Sequence, residues 1–183
     1  MIYDKVIQGR FVDLKSITLE DADVEFSYQI RKEEKNCKTV GQLAGSLEEQ
    51  RKFIEWQITE PGDYYFVVWN KKGERIGLIG VYDIHDQTGE IGREVNDAGP
   101  VEAMEAEVLL NDFCRSVLHL EKLTYVIYLS NKKHINNHKK RGIEMKRIVI
   151  RNGVECAYYE RDADENDFAK TRRLLDRIGG AEV

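Results

Sequence analysis

The sequence predicts one α+β domain, with helices packed on a mostly antiparallel sheet. Three observations predict it. Two turn signals, Asn70-Lys71-Lys72-Gly73 and Arg151-Asn152-Gly153, are each flanked by strand-like residues and read as antiparallel hairpins. From Val101 to Leu118, the residues Met104, Val108, Leu109, Phe113 and Val117 recur at helical spacing and mark the longest clear helix. At 183 residues, 42% hydrophobic and 33% charged, the chain suits a single core with room for a cleft. Residues 1–160 are expected to form the domain and 161–183 a helical tail.

Each element has a local reason. Phe11-Val12-Asp13-Leu14 is mostly apolar with one polar break, as in a largely buried strand. Thr18-Leu19-Glu20-Asp21 then offers a capping residue with an acid three places on, predicting a helix through about Arg31. After a polar loop containing Gly41 and Gly45, Ser46-Leu47-Glu48-Glu49 is a second capping box, and Pro61-Gly62 stops the helix that follows. Tyr64 to Trp69 and Ile76 to Ile84 form the first hairpin, where Gly77 and Gly80 leave room for a bulge or close packing. A further strand is expected from Thr88 to Asn96, and Gly99-Pro100 opens the long helix. Leu123 to Leu129 is a strand, Asn131 begins a polar helix, and Ile143 to Ile150 and Val154 to Tyr159 make the second hairpin. The tail, Asp164 to Ile178, reads as an appended helix that covers an edge or engages a partner. In this order the middle strands can splay apart beside the long helix, leaving a cleft with a helix N-terminus in it.

Composition excludes several classes. The net charge of -5 argues against a nucleic-acid partner, and Lys132 to Arg141 is the single concentrated basic stretch. No run approaches the ~18 apolar residues of a membrane span, and the first residues lack a secretory pattern, so no membrane partner and a cytoplasmic location are expected. Cys37, Cys114 and Cys156 are odd in number and widely spaced, which indicates neither a disulfide framework nor a metal site; buried or idle thiols are expected. His85 lies near Asp83 and Asp86 without a zinc spacing, and His119 reads as a helix-end residue.

The segment Asn131 to Ile143 resembles the GNAT superfamily of acyl-CoA-dependent N-acetyltransferases, in its ribosomal-protein and amino-sugar branch. Those proteins often follow the fifth strand with Asn-x-x-Ala-x-x-x-Tyr-x-Lys-x-Gly-Phe; here the slots hold Asn131, His134, His138, Lys140, Gly142 and Ile143. The resemblance covers roughly residues 8 to 160. It implies a mixed, mostly antiparallel sheet of six to seven strands flanked by about four helices, plus the C-terminal helix. It also implies acetyl-CoA as co-substrate, no metal, and a homodimer as the usual assembly.

The resemblance carries residue roles. Asn131 matches the residue that holds the CoA arm, and His138 occupies the slot of the proton donor to the leaving thiolate, a role that imidazole can fill. The pyrophosphate loop aligns with Asp97 to Ala103 and is altered: Val101 and Ala103 fall where glycines are usual, with Glu102 and Met104 beside them. Glu102, Glu105 and Glu107 in the first turns would repel a pyrophosphate, while Lys132 and Lys139 on the next helix would attract it. Glu94 is the expected base, Glu90 is placed on the same strand face, and Arg93 is placed opposite. A backbone N–H near Val95 is expected to polarise the thioester carbonyl. Arg31, Tyr82 and Glu90 are assigned to the acceptor side, with Glu25 to Lys38 as its wall. The acceptor classes are a small-molecule amine, in particular a nucleotide-linked amino sugar, or a protein N-terminus. The other reading is a GNAT-like binding or assembly module without efficient acetyl-CoA binding.

Overall fold

The computed structural model describes residues 1–33, 36, 43–164 and 168–180. Eight strands form one sheet: β1 (Ile7–Gln8), β2 (Val12–Ser16), β3 (Tyr64–Asn70), β4 (Arg75–His85), β5 (Thr88–Asn96), β6 (Lys122–Tyr128), β7 (Met145–Arg151) and β8 (Val154–Asp162). Their spatial order is β1-β2-β3-β4-β5-β6-β8-β7, antiparallel throughout except where β5 meets β6. The helices among the described residues are α1 (Asp21–Lys32), α2 (Leu47–Thr59), α3 (Pro100–Ser116), α4 (Lys132–Lys140) and α5 (Ala169–Gly180). This is the α+β architecture the sequence predicts, with one strand more. β1 is two residues long, too short to leave a periodic pattern. Cys37, Gly41 and the Lys38 end of the expected acceptor wall lie outside the described residues.

Local chemistry sets the element ends. Ser46 accepts the Glu49 N–H at 3.2 Å, and the Glu49 carboxylate accepts the Gly45 N–H at 2.6 Å, closing a box displaced by one residue. Thr18 does not cap α1: its N–H and hydroxyl both donate to the Asp23 carboxylate, at 3.0 and 2.8 Å, and Glu20 becomes the N-cap. Asn152 and Gly153 take φ of 51° and 75°, the paired left-handed conformation of a tight hairpin turn between β7 and β8.

The apolar run of β3 is buried on both faces, so its alternate residues feed two cores. Phe66 and Val68 join Leu14, Ile79, Leu123 and Phe113 beneath α3; Tyr65 and Val67 join Ile17, Ile54, Leu78 and Val95 beneath α1 and α2. Phe113 receives the edges of Tyr3, Tyr64 and Phe66 at 4.9 to 5.3 Å between centroids. Helix α5 docks on α3 through Leu175 and the preceding Phe168 against Val108, and through Arg172, which donates twice to Asp112. Cys114 and Cys156 are buried. Among the described residues, no helix is long and apolar enough to cross a membrane.

Two features shape the centre of the sheet. β5 pairs with β6 only from Thr88 to Glu90, and beyond that point the strands diverge. On its other side β5 carries one residue more than β4: Gly80 lies opposite Gly92, but Leu78 lies opposite Val95. Arg93, with φ 54°, is at this bulge.

Candidate active site

The divergence of β5 from β6 opens a cleft of about 760 Å³. One wall is the end of β5 and the start of α3, with Glu94, Val95, Ala103, Met104 and Glu107; the other is α4, with Asn131, Lys132, Lys133, His134, Lys140 and Arg141. Thr171 of α5 also borders it. Val95 is 3% exposed and its side chain belongs to the core under α1 and α2, so it meets the cleft through its backbone.

The bulge decides which carboxylate reaches this space. Without it, Glu90 and Glu94 would share a face; the extra residue reverses the alternation after Gly92. Glu90 therefore lies with Tyr82 and Arg93 on the α1 and α2 side, and Glu94 turns to the α3 side. This corrects the expected pairing of the two carboxylates. Glu90 is 5% exposed; it accepts the Tyr82 hydroxyl at 2.6 Å and a forked pair of bonds from Arg151. Burial, then the Glu90 charge, pushes the Tyr82 hydroxyl up, and the bonds to Glu90 hold Arg151 firmly protonated. Arg93 is clamped by Asp63 at 2.6 and 2.7 Å and lies 4.2 Å over the Tyr82 ring. Tyr82 and Glu90 are thus tied into a structural network, and neither lines the cleft. Arg31 is buried in the last turn of α1 and does not line it either.

Glu94 has a different environment. Its side chain is 19% exposed, and burial, followed by repulsion from Glu107, raises its pKa to about 8 against the pull of Arg141 and Lys133. Across the cleft, His134 Nε2 is 3.9 Å from Glu94 Oε2. Burial lowers the His134 pKa, and Arg141 and Lys133 act in the same sense against Glu107.

His138 stands one helical turn deeper. It is 2% exposed, between Tyr125 and Tyr159 at 4.8 and 4.6 Å and against His134 at 5.2 Å. It lines a small inner cavity of about 20 Å³, together with Asn111, Tyr125, Arg161 and Phe168. Burial, then the His134 ring, lowers its pKa to about 3, and its Nε2 has no hydrogen-bond partner among the described residues. The proton-donor slot therefore holds a neutral core ring, because α4 turns this position toward the sheet. His134 of α4, together with Arg141 just after the helix, borders both spaces. Its signal in the sequence was a titratable side chain in a slot where alanine is usual.

The start of α3 also differs from expectation. Of the three acids counted against a pyrophosphate, Glu105 points away: it accepts the backbone N–H groups of Arg10, Phe11 and Val12 at 2.9, 2.6 and 2.7 Å. Glu107 is ion-paired with Arg141. Glu102 remains, folded back over Gly99, where an added Cβ would strike its carboxylate. Val101 and Met104 pack beside the Val108, Phe168 and Leu175 cluster, so the bulk at the glycine slot serves the docking of α5. Val101, Glu102 and Lys139 do not border the cleft.

A phosphorylated thioester fits this arrangement. The first turn of α3 borders the cleft through Pro100, Ala103 and Met104; Pro100 has no N–H and the Ala103 N–H bonds Gly99 C=O at 3.0 Å, so what this turn offers the cleft is the positive end of the helix dipole. Lys132, Lys133 and Lys140 supply positive charge from the facing helix. Asn131 uses its side-chain oxygen to accept the His134 N–H at 3.2 Å, capping α4.

An open, centrally splayed sheet with a helix N-terminus in the opening defines an acyl-transfer fold of the GNAT type. A family model, the acetyltransferase (GNAT) domain, matches residues 12–144, and the chain belongs to that family. It is accordingly an N-acetyltransferase. Solved structures share the fold. A GCN5-related N-acetyltransferase from Brucella melitensis is 16% identical with a TM-score of 0.77, covering 94% of this chain and 86% of that one. FdhC in its apo form, a nucleotide-linked sugar GNAT, is 20% identical with a TM-score of 0.74, covering 93% and 98%. An N152L mutant of the spermidine N-acetyltransferase SpeG from Vibrio cholerae is 14% identical with a TM-score of 0.70, covering 87% and 98%. No curated protein sequence matches the chain at a significant level.

Proposed function

We propose that the protein transfers an acetyl group from acetyl-CoA to the primary amine of a small molecule, with Glu94 as the base. The observation that carries this is the pairing, in one cleft, of a basic helix wall with a partly desolvated carboxyl on the opposite strand. Acetyl-CoA supplies the activated acyl thioester. Lys132, Lys133 and Lys140 attract its phosphates, and the positive end of the α3 dipole adds to that attraction. Val95 presents backbone at the fork, where an N–H would stabilise charge developing on the carbonyl oxygen. Glu94 takes the amine proton once it is ionised, which its raised pKa places at mildly alkaline pH.

The reading as a module without cofactor binding loses part of its support, because Glu105 is turned away and Glu107 is ion-paired with Arg141. A nucleotide-linked amino sugar is the first acceptor class to test and spermidine the second, since a nucleotide-linked sugar GNAT and a spermidine N-acetyltransferase share the fold. Calorimetric titration with acetyl-CoA tests the reading. Saturable micromolar binding is expected, weakened about 5- to 10-fold by Lys132→Glu and reduced by salt. No heat and no thermal shift at millimolar acetyl-CoA would overturn it.

A further inference from the structure

We propose that His134 is a second catalytic residue, which passes the acceptor's proton from Glu94 on the strand wall of the cleft to the sulphur leaving on the helix wall. This rests on the acetyl-CoA reading above and adds a residue to it. Three geometric facts carry it. His134 and Glu94 sit on opposite walls of the opening, with Nε2 and Oε2 3.9 Å apart, a gap that modest closure on substrate would turn into a hydrogen bond. His134 shares its helix with Asn131, Lys132 and Lys140, the side chains of the cofactor wall. Its position is held firmly: its N–H is capped by Asn131, and its ring lies against His138, itself enclosed by Tyr125 and Tyr159.

The charged and titratable groups facing the pair are Glu107 from α3, Lys133 from α4, Arg141 just after it, and, behind His138, Tyr125 of β6 and Arg161 of β8. Burial and the nearby cations keep the imidazole neutral, and its place in the first turn of α4 acts in the same direction. A neutral imidazole accepts at one nitrogen and donates from the other.

The step balances. The amine nitrogen forms a bond to the thioester carbonyl carbon, and the carbon–sulphur bond breaks with its electron pair leaving on sulphur. The amine N–H proton passes to the Glu94 carboxylate, the Glu94 proton passes to His134 Nε2, and the proton on the other ring nitrogen goes to sulphur. The imidazole ends in its other tautomer and exchanges back through solvent.

The test has two arms. In the protein without ligand, NMR of ring-labelled histidine, assigned with His134→Gln, is expected to show the His134 titration or tautomer ratio altered by Glu94→Gln; an unchanged ring would overturn the pairing. In turnover of a primary amine with a free-thiol readout, His134→Ala is expected to lower kcat about 100-fold while the KM for acetyl-CoA stays within threefold, with partial rescue by added imidazole. A purely structural role would give no rescue. If the wild type binds and turns over acetyl-CoA and both His134→Ala and His134→Gln keep the wild-type kcat, the relay alone is overturned. If the wild type does not bind acetyl-CoA, both proposals fall.

Discussion

The two halves of β5 carry chemically identical carboxylates four residues apart, with opposite fates. In the half that pairs with β6, Glu90 is saturated by Arg151 and Tyr82. In the half that diverges, Glu94 has no such partner set, faces Glu107, and holds its proton to about pH 8. The lesson is that a carboxyl keeps a raised pKa where the sheet buries it and withholds a full set of partners. One bulge residue, Arg93, separates the two environments.

The largest expected effect tests this contrast directly. Glu94→Gln should lower kcat by about 100-fold or more and remove the rise of kcat/KM through pH about 8, measured as a pH profile at saturating acetyl-CoA. The same change should raise thermal stability at alkaline pH. The folded state keeps the Glu94 proton that the unfolded chain releases at an ordinary carboxylate pKa, so stability is lost as pH rises from that value toward about 8. Glu90→Gln should do the reverse, costing about 1–2 kcal/mol in denaturant melts by removing the charge and one of the two oxygens that hold Tyr82 and the part-exposed Arg151, with kcat per folded molecule within threefold. Equal losses of kcat in the two variants would break the comparison.

A second pair of acids sharpens it at the start of α3. Glu105→Ala should cost about 2 kcal/mol, since three backbone donors lose their acceptor, and should leave the acetyl-CoA Kd within twofold. A tenfold gain in affinity would show that Glu105 does face the phosphates. The smallest effect is expected from Val101→Gly, about 1 kcal/mol of stability through poorer packing against the α5 cluster and the cost of glycine in a helix. The Kd for acetyl-CoA should again change less than threefold. A large gain on restoring glycine would make Val101 a barrier to the cofactor and no longer a docking residue.

Much of the fold was legible because its signals are local. Ser46 with Glu49, Asn152-Gly153 and the run from Tyr64 to Trp69 each state their conformation within a few residues. The site was legible only in part. Asn131, Lys132, Ala103 and Met104 reach the cleft as their place in the resemblance suggested, and Glu94 does so as well. His138, Tyr82, Glu90 and Arg31 do not, since burial and partner choice are decided by residues far away in sequence. Glu105 shows this most simply: its acceptors' partners lie more than 90 positions earlier.

By itself, then, the sequence determined the order of strands and helices from β2 onward, the turn between β7 and β8, and a helix start beside a diverging strand, because short-range sterics and hydrophobic period suffice for these. Tertiary structure decided which side of the sheet each catalytic candidate faces. An extra residue at Arg93 moved Glu94 to the cleft, α4 buried His138 and presented His134, and the docking of α5 gave Val101 its purpose. The physical reason is that a bulge reverses side-chain alternation, and the pKa of a group depends on neighbours and burial that only the packed chain brings together.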